Sequence, residues 1–317
     1  MSKNRRIIGL IIVIVVFLLV IFTLYGMSDK DDETVKIGYL PSDHDAALFV
    51  ANSTGMFKDA KINVELYEYN NGGDLMSAMA SGELDVGYVG ITPVIHSMSK
   101  GVPVRIVAGA QNEGSGLVSH SPSVKSITDL KGKVVATPGE SSIQNVLLKY
   151  DLKKNGLSSS DVKSPSMKVS SMNDALKTGS IDAMLTYEPY VTISEKINNQ
   201  NLVESSSEIL SDHPCCVVVM NEKFLSGNFN KAKKIIKIHE NATEKIISNP
   251  EGTVQYLPSH IVPNPELEKE SLKHIKWVSN LNDTYKENIN NFLNIEKELG
   301  IINETLTQDK LYAENLN

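Results

Sequence analysis

Short segments that alternate apolar and polar residues recur between segments with helical spacing along much of the chain. Strand-like alternation occupies residues 34–41 and 62–69, and helical spacing occupies 46–57, with Gly55 placed as a C-cap. The pattern resumes with a strand in "KVVATPG", a helix from about Ser141, a strand in "SMKVS", a helix over 172–178 and a strand in "DAMLTYEP". Alternating β and α segments at this spacing predict parallel sheets covered by helices.

One phrase occurs twice, as "SGELDVGYVGITP" over 81–93 and as "TGSIDAMLTYEP" over 178–189. In each copy a helix ends at a glycine, an aspartate opens a short apolar strand, and a proline ends that strand. Two copies of one unit predict two similar α/β lobes, and the carboxyl ends of their strands should face a shared cleft. Asp85 and Asp182 are predicted to cap the helix-to-strand corners.

The N-terminus predicts a membrane anchor. Residues 7–27 carry no charge, and three basic residues precede them within the first six positions. Since about 20 apolar residues cross a bilayer, this run is long enough, and the basic flank favours a cytoplasmic N-terminus. No small-residue cleavage site is visible, so we expect an uncleaved transmembrane helix, with a cleaved secretory signal as the alternative. Residues 28–34 form a polar, acidic tether.

The remaining chain, about 280 residues, is long enough for one large or two medium domains. The formal net charge is −7 and no basic patch is present, which argues against nucleic acid as a partner. The two cysteines are adjacent, so they cannot build the disulfide framework of small secreted domains. The fold must therefore rest on its own core.

Four segments resemble the solute-binding proteins of ABC importers, in the nitrate, sulfonate and taurine branch, which also contains relatives that bind pyrimidine precursors of thiamine. They are "KIGYLPSDHDAALFVANSTGMF", "MASGELDVGYVGITPVI", "SITDLKGKVVATPGESS" and "IDAMLTYEPY", and the resemblance covers about residues 35–230. It implies a two-lobed α/β fold of the periplasmic-binding-protein type II, with a central cleft that closes over a ligand.

The resemblance also implies that the chain crosses twice between the lobes, and we place these crossings near 111–117 and 212–219. The expected organisation is then an anchor and tether in 1–34, a first lobe from 35–113 plus 218–317, and a second lobe from 114–217.

The segment "TPGESSIQNVLLKY" is the best local indication of ligand type. Ser141 or Ser142 can begin a helix, whose unpaired N–H groups and partial positive charge favour an anionic oxygen cluster such as a sulfonate or a carboxylate. The serine hydroxyls add donors, although Ser141 alternatively serves only as an N-cap. Glu140 beside them either faces solvent or binds a cationic part of the ligand.

Other polar residues lie at the predicted carboxyl ends of strands or at the first crossing, and they are candidate ligand contacts. These are Ser42, His44, Thr92, Asn112, Glu113, Ser115, Tyr187 and Glu188. Helix capping and hinge formation are the structural alternatives for this group. An aromatic wall with a hydrogen-bonding tip, such as Tyr187, suits a small organic ligand.

The cysteines lie in "DHPCCVVVM". Because successive side chains of a strand point to opposite faces, His213 and Cys215 are expected to face the cleft and Cys216 the core beside Val218. The two thiols could then meet one metal only if the backbone bends. Structural zinc usually takes four ligands at wider spacing, so we expect ligand-lining or burial rather than metal or redox chemistry.

We therefore expect an extracytoplasmic solute-binding component of an ABC importer that captures a small anionic or organosulfur or organonitrogen solute. Its partners would be the solute, the ABC permease with its ATPase subunits, and the membrane through the N-terminal helix. Binding needs only a closed state with higher affinity, so neither enzyme activity nor a cofactor is expected. The alternative is a thiamine-pyrimidine-related binding protein or enzyme that uses the His-Cys-Cys motif, because some relatives of this fold make that pyrimidine with a cysteine-rich motif.

Overall fold

The structure is a computed structural model that describes residues 33–303, 306–313 and 316. The predicted anchor over 7–27 and most of the tether lie outside these residues. Among the helices that are described, none combines the length and the apolar character that crossing a membrane requires.

The described residues form two sheets, and the first of these contains six strands. They are β1 (Val35–Tyr39), β2 (Val64–Glu68), β3 (Val86–Gly90), β4 (Val104–Glu113), β9 (Pro214–Asn221) and β10 (Ile275–Trp277), in the order β10-β4-β9-β3-β1-β2. Strand β1 is parallel to β2 and β3, whereas β9 is antiparallel to both β3 and β4. Strand β3 is buried at every position, as expected for a central strand with both faces covered by helices.

The second sheet contains four strands, which are β5 (Ser115–Ser119), β6 (Val135–Ala136), β7 (Ala183–Tyr187) and β8 (Asn201–Ser205), in the order β6-β7-β5-β8. The chain passes from the first sheet to the second at Gly114, and it returns between β8 and β9. The expected first crossing, 111–117, contains this glycine. The expected second crossing, 212–219, overlaps the first part of β9.

Helices cover the sheets. The α-helices are α1 (Ala46–Ser53), α2 (Met56–Asp59), α3 (Gly72–Ser81), α4 (Ile91–Ser99), α5 (Ile143–Lys154), α6 (Val169–Lys177), α7 (Tyr190–Lys196), α8 (Ser206–Ile209), α9 (Glu222–Gly227), α10 (Phe229–Ser248), α11 (Pro250–Thr253), α12 (Pro265–Ser271), α13 (Asp283–Glu298) and α14 (Gln308–Leu311). Short 3-10 turns occupy Asp43–Asp45, Ile127–Leu130, Ser159–Asp161, Val254–Tyr256 and Leu272–His274. The long helix α10 packs against α1, and α13 packs against β9. The C-terminal part of the chain therefore covers the first sheet.

The two repeated phrases occupy equivalent places in the two sheets. The Asp85 carboxylate accepts a hydrogen bond from the Lys36 N–H at 2.9 Å, and the Asp182 carboxylate accepts one from the Val134 N–H at 2.9 Å. Each aspartate thus ties the start of its own strand to the parallel neighbour. Both aspartates therefore have a structural role, but their hydrogen bonds go to the neighbouring strand and not to the corner that each was predicted to cap.

The predicted strand in "SMKVS" is wrong. Ser166 forms one isolated bridge with Thr137, and α6 begins three residues later, at Val169. Pro165 has no N–H for a ladder, and helical spacing lets Met172 and Leu176 fill the core beneath the second sheet. Burying these two side chains stabilises the helix more than the short alternating pattern before it stabilises a strand.

Trp277 ends the edge strand β10, where it pairs with Gln111 of β4. It packs against the core on the helix-α10 side of the first sheet.

Candidate functional site

A cavity of about 270 Å³ lies where loops from the carboxyl ends of strands in both sheets meet. The loop after β1 contributes Ser42 and His44, and the end of β3 contributes Gly90. From the second sheet come the Pro138–Ile143 segment and Tyr187 at the end of β7. A cavity at this position matches the general rule for open α/β sheets.

The N-termini of helices α3 and α5 line this cavity. Helix α3 has 10 residues and begins after Asn71, whose side chain accepts a hydrogen bond from the Asp74 N–H at 2.9 Å. Helix α5 has 12 residues and begins after Ser142, which accepts one from the Asn145 N–H at 3.2 Å. Each start presents further N–H groups and a partial positive charge. The cavity therefore receives the positive ends of two helices.

The two helix starts approach each other closely. A Cβ atom placed on Gly73 would lie 3.6 Å from the Ser141 hydroxyl oxygen. Asn71, Gly72 and Gly73 were not among the predicted site residues. An asparagine before two glycines is itself an N-cap signal, and it would have pointed to this helix start.

A β-bulge determines where the two thiols lie. Gln111 of β4 pairs with Cys216, but its neighbour Asn112 pairs with Pro214, so Cys215 is an extra residue on β9. The bulge brings the Cys215 and Cys216 sulfurs to 3.9 Å from each other, and both residues line the cavity. The expectation that Cys216 faces the core beside Val218 is wrong, because strict alternation fails at a bulge.

His44 completes a cluster with the thiols. Its Nδ1 lies 3.5 Å from the Cys215 sulfur and 3.9 Å from the Cys216 sulfur. Its Nε2 lies 3.0 Å from the Gly114 carbonyl oxygen. Since a carbonyl oxygen only accepts, Nε2 carries the hydrogen, and in the neutral ring Nδ1 presents its lone pair to the thiols.

The contact with His44 requires a glycine at position 114. Its φ is +79°, and a Cβ atom there would lie 2.5 Å from His44 Nε2. Any other residue would be strained in its backbone and would also clash with the imidazole ring. The crossing point and the cluster are therefore packed against each other.

Buried titratable groups surround the cluster. The contact with Cys215 and burial raise the pKa of the Cys216 thiol above its usual range, so the thiol is uncharged at neutral pH. Burial raises the pKa of Asp45 to about 8 and that of Asp43 to about 6. Burial also raises the pKa of Tyr187 well above its usual value. Near neutral pH, Asp45 on the cavity wall is therefore mostly protonated, whereas Asp43 behind it is mostly ionised.

The structure brings six predicted site residues to the cavity wall, and these are Ser42, His44, Ser141, Ser142, Tyr187 and Cys215. Ser42 also connects the two sides, because its hydroxyl donates to the Glu188 carbonyl oxygen at 2.9 Å. Ser142 acts as the N-cap of α5. Tyr187 packs beside His44, with ring centroids 5.7 Å apart.

Three predicted residues line a different cavity of about 260 Å³, and these are Glu113, Ser115 and Glu188. The Glu113 carboxylate accepts from Lys276 at 2.9 Å and from the Asp212 N–H at 2.8 Å. Ser115 accepts from the Gln144 amide at 2.9 Å. The Glu188 carboxylate bonds the His274 ring at 2.6 Å. These groups hold neighbouring segments together.

Four other predicted residues lie away from the cavity wall. Glu140 is exposed, Asn112 is buried in β4, and the buried Thr92 hydroxyl faces the carboxyl of Glu296. His213 stacks on Phe292 with ring centroids 6.2 Å apart, and burial lowers its pKa to about 4. Because His213 precedes the bulge, its side chain does not line the cavity beside the two thiols.

Comparisons with known proteins give the family of the chain and the fold that it shares. The NMT1-like family profile matches residues 28–255. A Brucella abortus protein named as a binding protein is 26% identical over 246 residues, which are 76% of each chain. A 4-amino-5-hydroxymethyl-2-methylpyrimidine phosphate synthase of Aspergillus parasiticus is 26% identical over 238 residues, which are 68% of each chain.

Solved structures share the fold at lower identity. The ligand-binding component of an ABC-type import system from Staphylococcus aureus, with zinc bound, has a TM-score of 0.80 at 20% identity and covers 90% of this chain and 98% of its own. An alkanesulfonate-binding protein from Xanthomonas axonopodis, bound to MOPS, has a TM-score of 0.77 at 17% identity, with 88% and 98% covered. The nitrate-binding protein of Synechocystis has a TM-score of 0.73 at 16% identity, with 89% and 86% covered. The predicted α/β periplasmic-binding-protein-like fold is confirmed.

Proposed function

The chain belongs to the NMT1-like family, and on that premise we propose that it is the extracytoplasmic solute-binding component of an ABC importer. In this proposal a first lobe, 35–113 plus 218–317, and a second lobe, 114–217, close over a solute. The loaded protein then docks on a permease with its ATPase subunits. The apolar run over 7–27 holds it at the outer face of the cell membrane.

The observation that carries this proposal is the meeting of two helix N-termini at one cavity. A single helix start contributes about 0.3–1 kcal/mol to the binding of an anion. A useful affinity therefore needs both starts together with the hydroxyl of Ser141 and the side chain of Asn71. Ser142 contributes by capping α5, because its own hydroxyl already donates to the Gly139 carbonyl oxygen. This donor set favours a compact anionic head, of the sulfonate, taurine or nitrate type.

The small size of the cavity supports the same solute class. Sites for drug-sized ligands enclose about 300–1,000 Å³, and this cavity, at about 270 Å³, lies just below that range. The apolar side of the cavity, formed by Leu40, Pro93 and Ile143, suits a short organic tail. Binding by closure requires only that the closed state has the higher affinity, so no reaction is part of the proposal.

The relatives that are named as pyrimidine phosphate synthases favour a second candidate. In that case the protein binds or makes a pyrimidine, and the histidine and the two thiols contact it. The ligand would then be an aromatic ring packed against Tyr187, and not an anionic head bound at the helix starts. The two candidates therefore predict different ligands for the same cavity.

Calorimetric titration of the purified full chain with taurine, a short alkanesulfonate, nitrate and an aminopyrimidine tests the proposal. We expect a sulfonate or nitrate to bind, and replacing both Ser141 and Ser142 by alanine to weaken binding at least about tenfold, which corresponds to 1.4 kcal/mol. Ser171→Ala is the matched control, because Ser171 is an exposed serine on α6 outside the cavity. Binding of the pyrimidine alone, or unchanged affinity in the double variant, would overturn the anion proposal.

A further inference from the structure

The cluster at the back of the cavity has the dimensions of a metal site. The atoms His44 Nδ1, Cys215 Sγ and Cys216 Sγ form a triangle with sides of 3.5, 3.9 and 3.9 Å. In a tetrahedral zinc site, bonds of about 2.3 Å to sulfur and about 2.0–2.1 Å to nitrogen place neighbouring ligand atoms about 3.5–3.8 Å apart. The centre of the observed triangle lies about 2.2 Å from each corner, so an ion there would be within bonding distance of all three atoms.

The ring of the histidine is already held in the orientation that a metal requires. A metal-bound histidine usually donates its other ring N–H to a carbonyl or carboxylate, which determines the tautomer and the ring orientation. Here His44 Nε2 donates to the Gly114 carbonyl oxygen at 3.0 Å, and Nδ1 faces the two sulfurs. The positive φ of Gly114 and the close approach of its backbone make this contact possible.

The bulge on β9 supplies the two thiols. In a regular strand, adjacent cysteines would point to opposite faces, and only one could reach His44. The extra residue, Cys215, brings both sulfurs to the same side. A disulfide between adjacent cysteines would close a strained ring, and both are free thiols. The arrangement therefore fits a shared ligand better than a bond between the sulfurs.

From this geometry we propose that His44, Cys215 and Cys216 form a three-ligand Zn²⁺ site whose fourth coordination position opens onto the cavity. Thiolate and imidazole are the ligands that zinc prefers. Two thiols would each release a proton on binding, so the complex of one Zn²⁺ with two thiolates and a neutral imidazole carries no net charge. That neutrality suits a site made of buried residues. A water molecule or a solute donor atom would occupy the fourth position.

Metal binding is tested with the full chain, reduced and stripped of metal with a chelator. We expect one Zn²⁺ per chain, with the release of protons from the thiols measured by pH-stat. Co²⁺ should produce sulfur-to-metal charge-transfer absorption. X-ray absorption of the zinc form should show two sulfurs at about 2.3 Å and one imidazole nitrogen at about 2.0–2.1 Å. A zinc shell that contains no sulfur would overturn the proposal, as would the absence of binding.

Variants localise the site. Cys216→Ser and His44→Gln should each weaken Zn²⁺ binding at least about 100-fold, since even supporting groups around a metal are worth 10–100-fold. His120→Gln is the matched control, because His120 is exposed and distant from the cluster. Circular dichroism establishes that each variant is folded, and the wild-type absorption spectrum tests the ligands independently of any variant. Unchanged affinity in both folded variants would contradict the proposal.

This site does not depend on the proposed solute. If Zn²⁺ binds with two sulfurs while no anion binds, the metal proposal holds and the transport proposal fails. If an anion binds while zinc does not, the reverse is true. If both bind, solute titration of the zinc-loaded and zinc-free chain shows whether the fourth position takes part in solute binding.

Discussion

Glu296, near the end of α13, should make the protein less stable as the pH rises. Its side chain is fully buried, and neither carboxylate oxygen has a hydrogen-bond partner among the described residues. Burial raises the pKa of this carboxyl from 4.5 to about 8, and the Thr92 hydroxyl that faces it offsets only part of that effect. The folded protein therefore retains a proton that the unfolded chain loses.

The sign and the size of this pH effect follow from the linkage between proton binding and folding. Between pH 4.5 and 8 the folded state binds up to one proton more than the unfolded state at Glu296, so the free energy of unfolding falls by up to 1.36 kcal/mol per pH unit. From pH 5 to pH 7.5 this group alone should lower the free energy of unfolding by about 3 kcal/mol. Glu296→Gln keeps the volume and cannot ionise, so it should remove this dependence.

Urea unfolding of the wild type and of Glu296→Gln at pH 5 and pH 7.5 measures the effect. The difference between the two proteins should shift by about 3 kcal/mol in favour of the variant at the higher pH. Glu287→Gln, an exposed position on the same helix, should leave the wild-type dependence within about 0.5 kcal/mol. If the difference between wild type and Glu296→Gln is the same at both pH values, Glu296 titrates normally and the reasoning is wrong.

Two further substitutions test the crossing and the repeated corner. Gly114→Ala should destabilise the protein by at least about 2 kcal/mol in urea unfolding, because backbone strain at positive φ adds to a clash with His44. Gly132→Ala, at a similar φ of +80° with open space around it, should cost only about 1 kcal/mol, and equal losses at the two glycines would contradict the clash. Asp182→Ala should lower the unfolding free energy by about 1 kcal/mol, since the Val134 N–H loses its acceptor. An unchanged urea midpoint would show that this corner bond contributes nothing.

Elements governed by local chemistry could be predicted from the sequence. The helix-to-strand corners of the two repeated phrases are of this kind, whereas the bonds from their aspartates to Lys36 and Val134 join residues 49 and 48 positions apart and were not predicted. The start of α5 at Ser142 is equally local, since a serine N-cap needs only the next three residues.

The arrangement of the thiols could not be predicted in this way. Whether Cys215 and Cys216 share a face depends on how β9 pairs with β4, a strand about 100 positions earlier in the sequence. The register shift between Gln111 and Asn112 leaves no sign in the alternation of "PCCVVVM". The proximity of His44 to both sulfurs depends in addition on the conformation at Gly114. The positions of the His44, Cys215 and Cys216 side chains thus depend on pairing between segments that are distant in the sequence.

The position of the sole tryptophan has a practical consequence. Trp277 pairs with Gln111, and Gln111 pairs with Cys216, so the indole ends a row of three adjacent strands that leads to the cluster. The indole Nε1 is buried without a hydrogen-bond partner among the described residues, which makes its emission sensitive to small displacements around it. The protein therefore carries an intrinsic fluorophore, whose emission would reveal, without an attached label, whether binding in the cavity is transmitted along this row of strands.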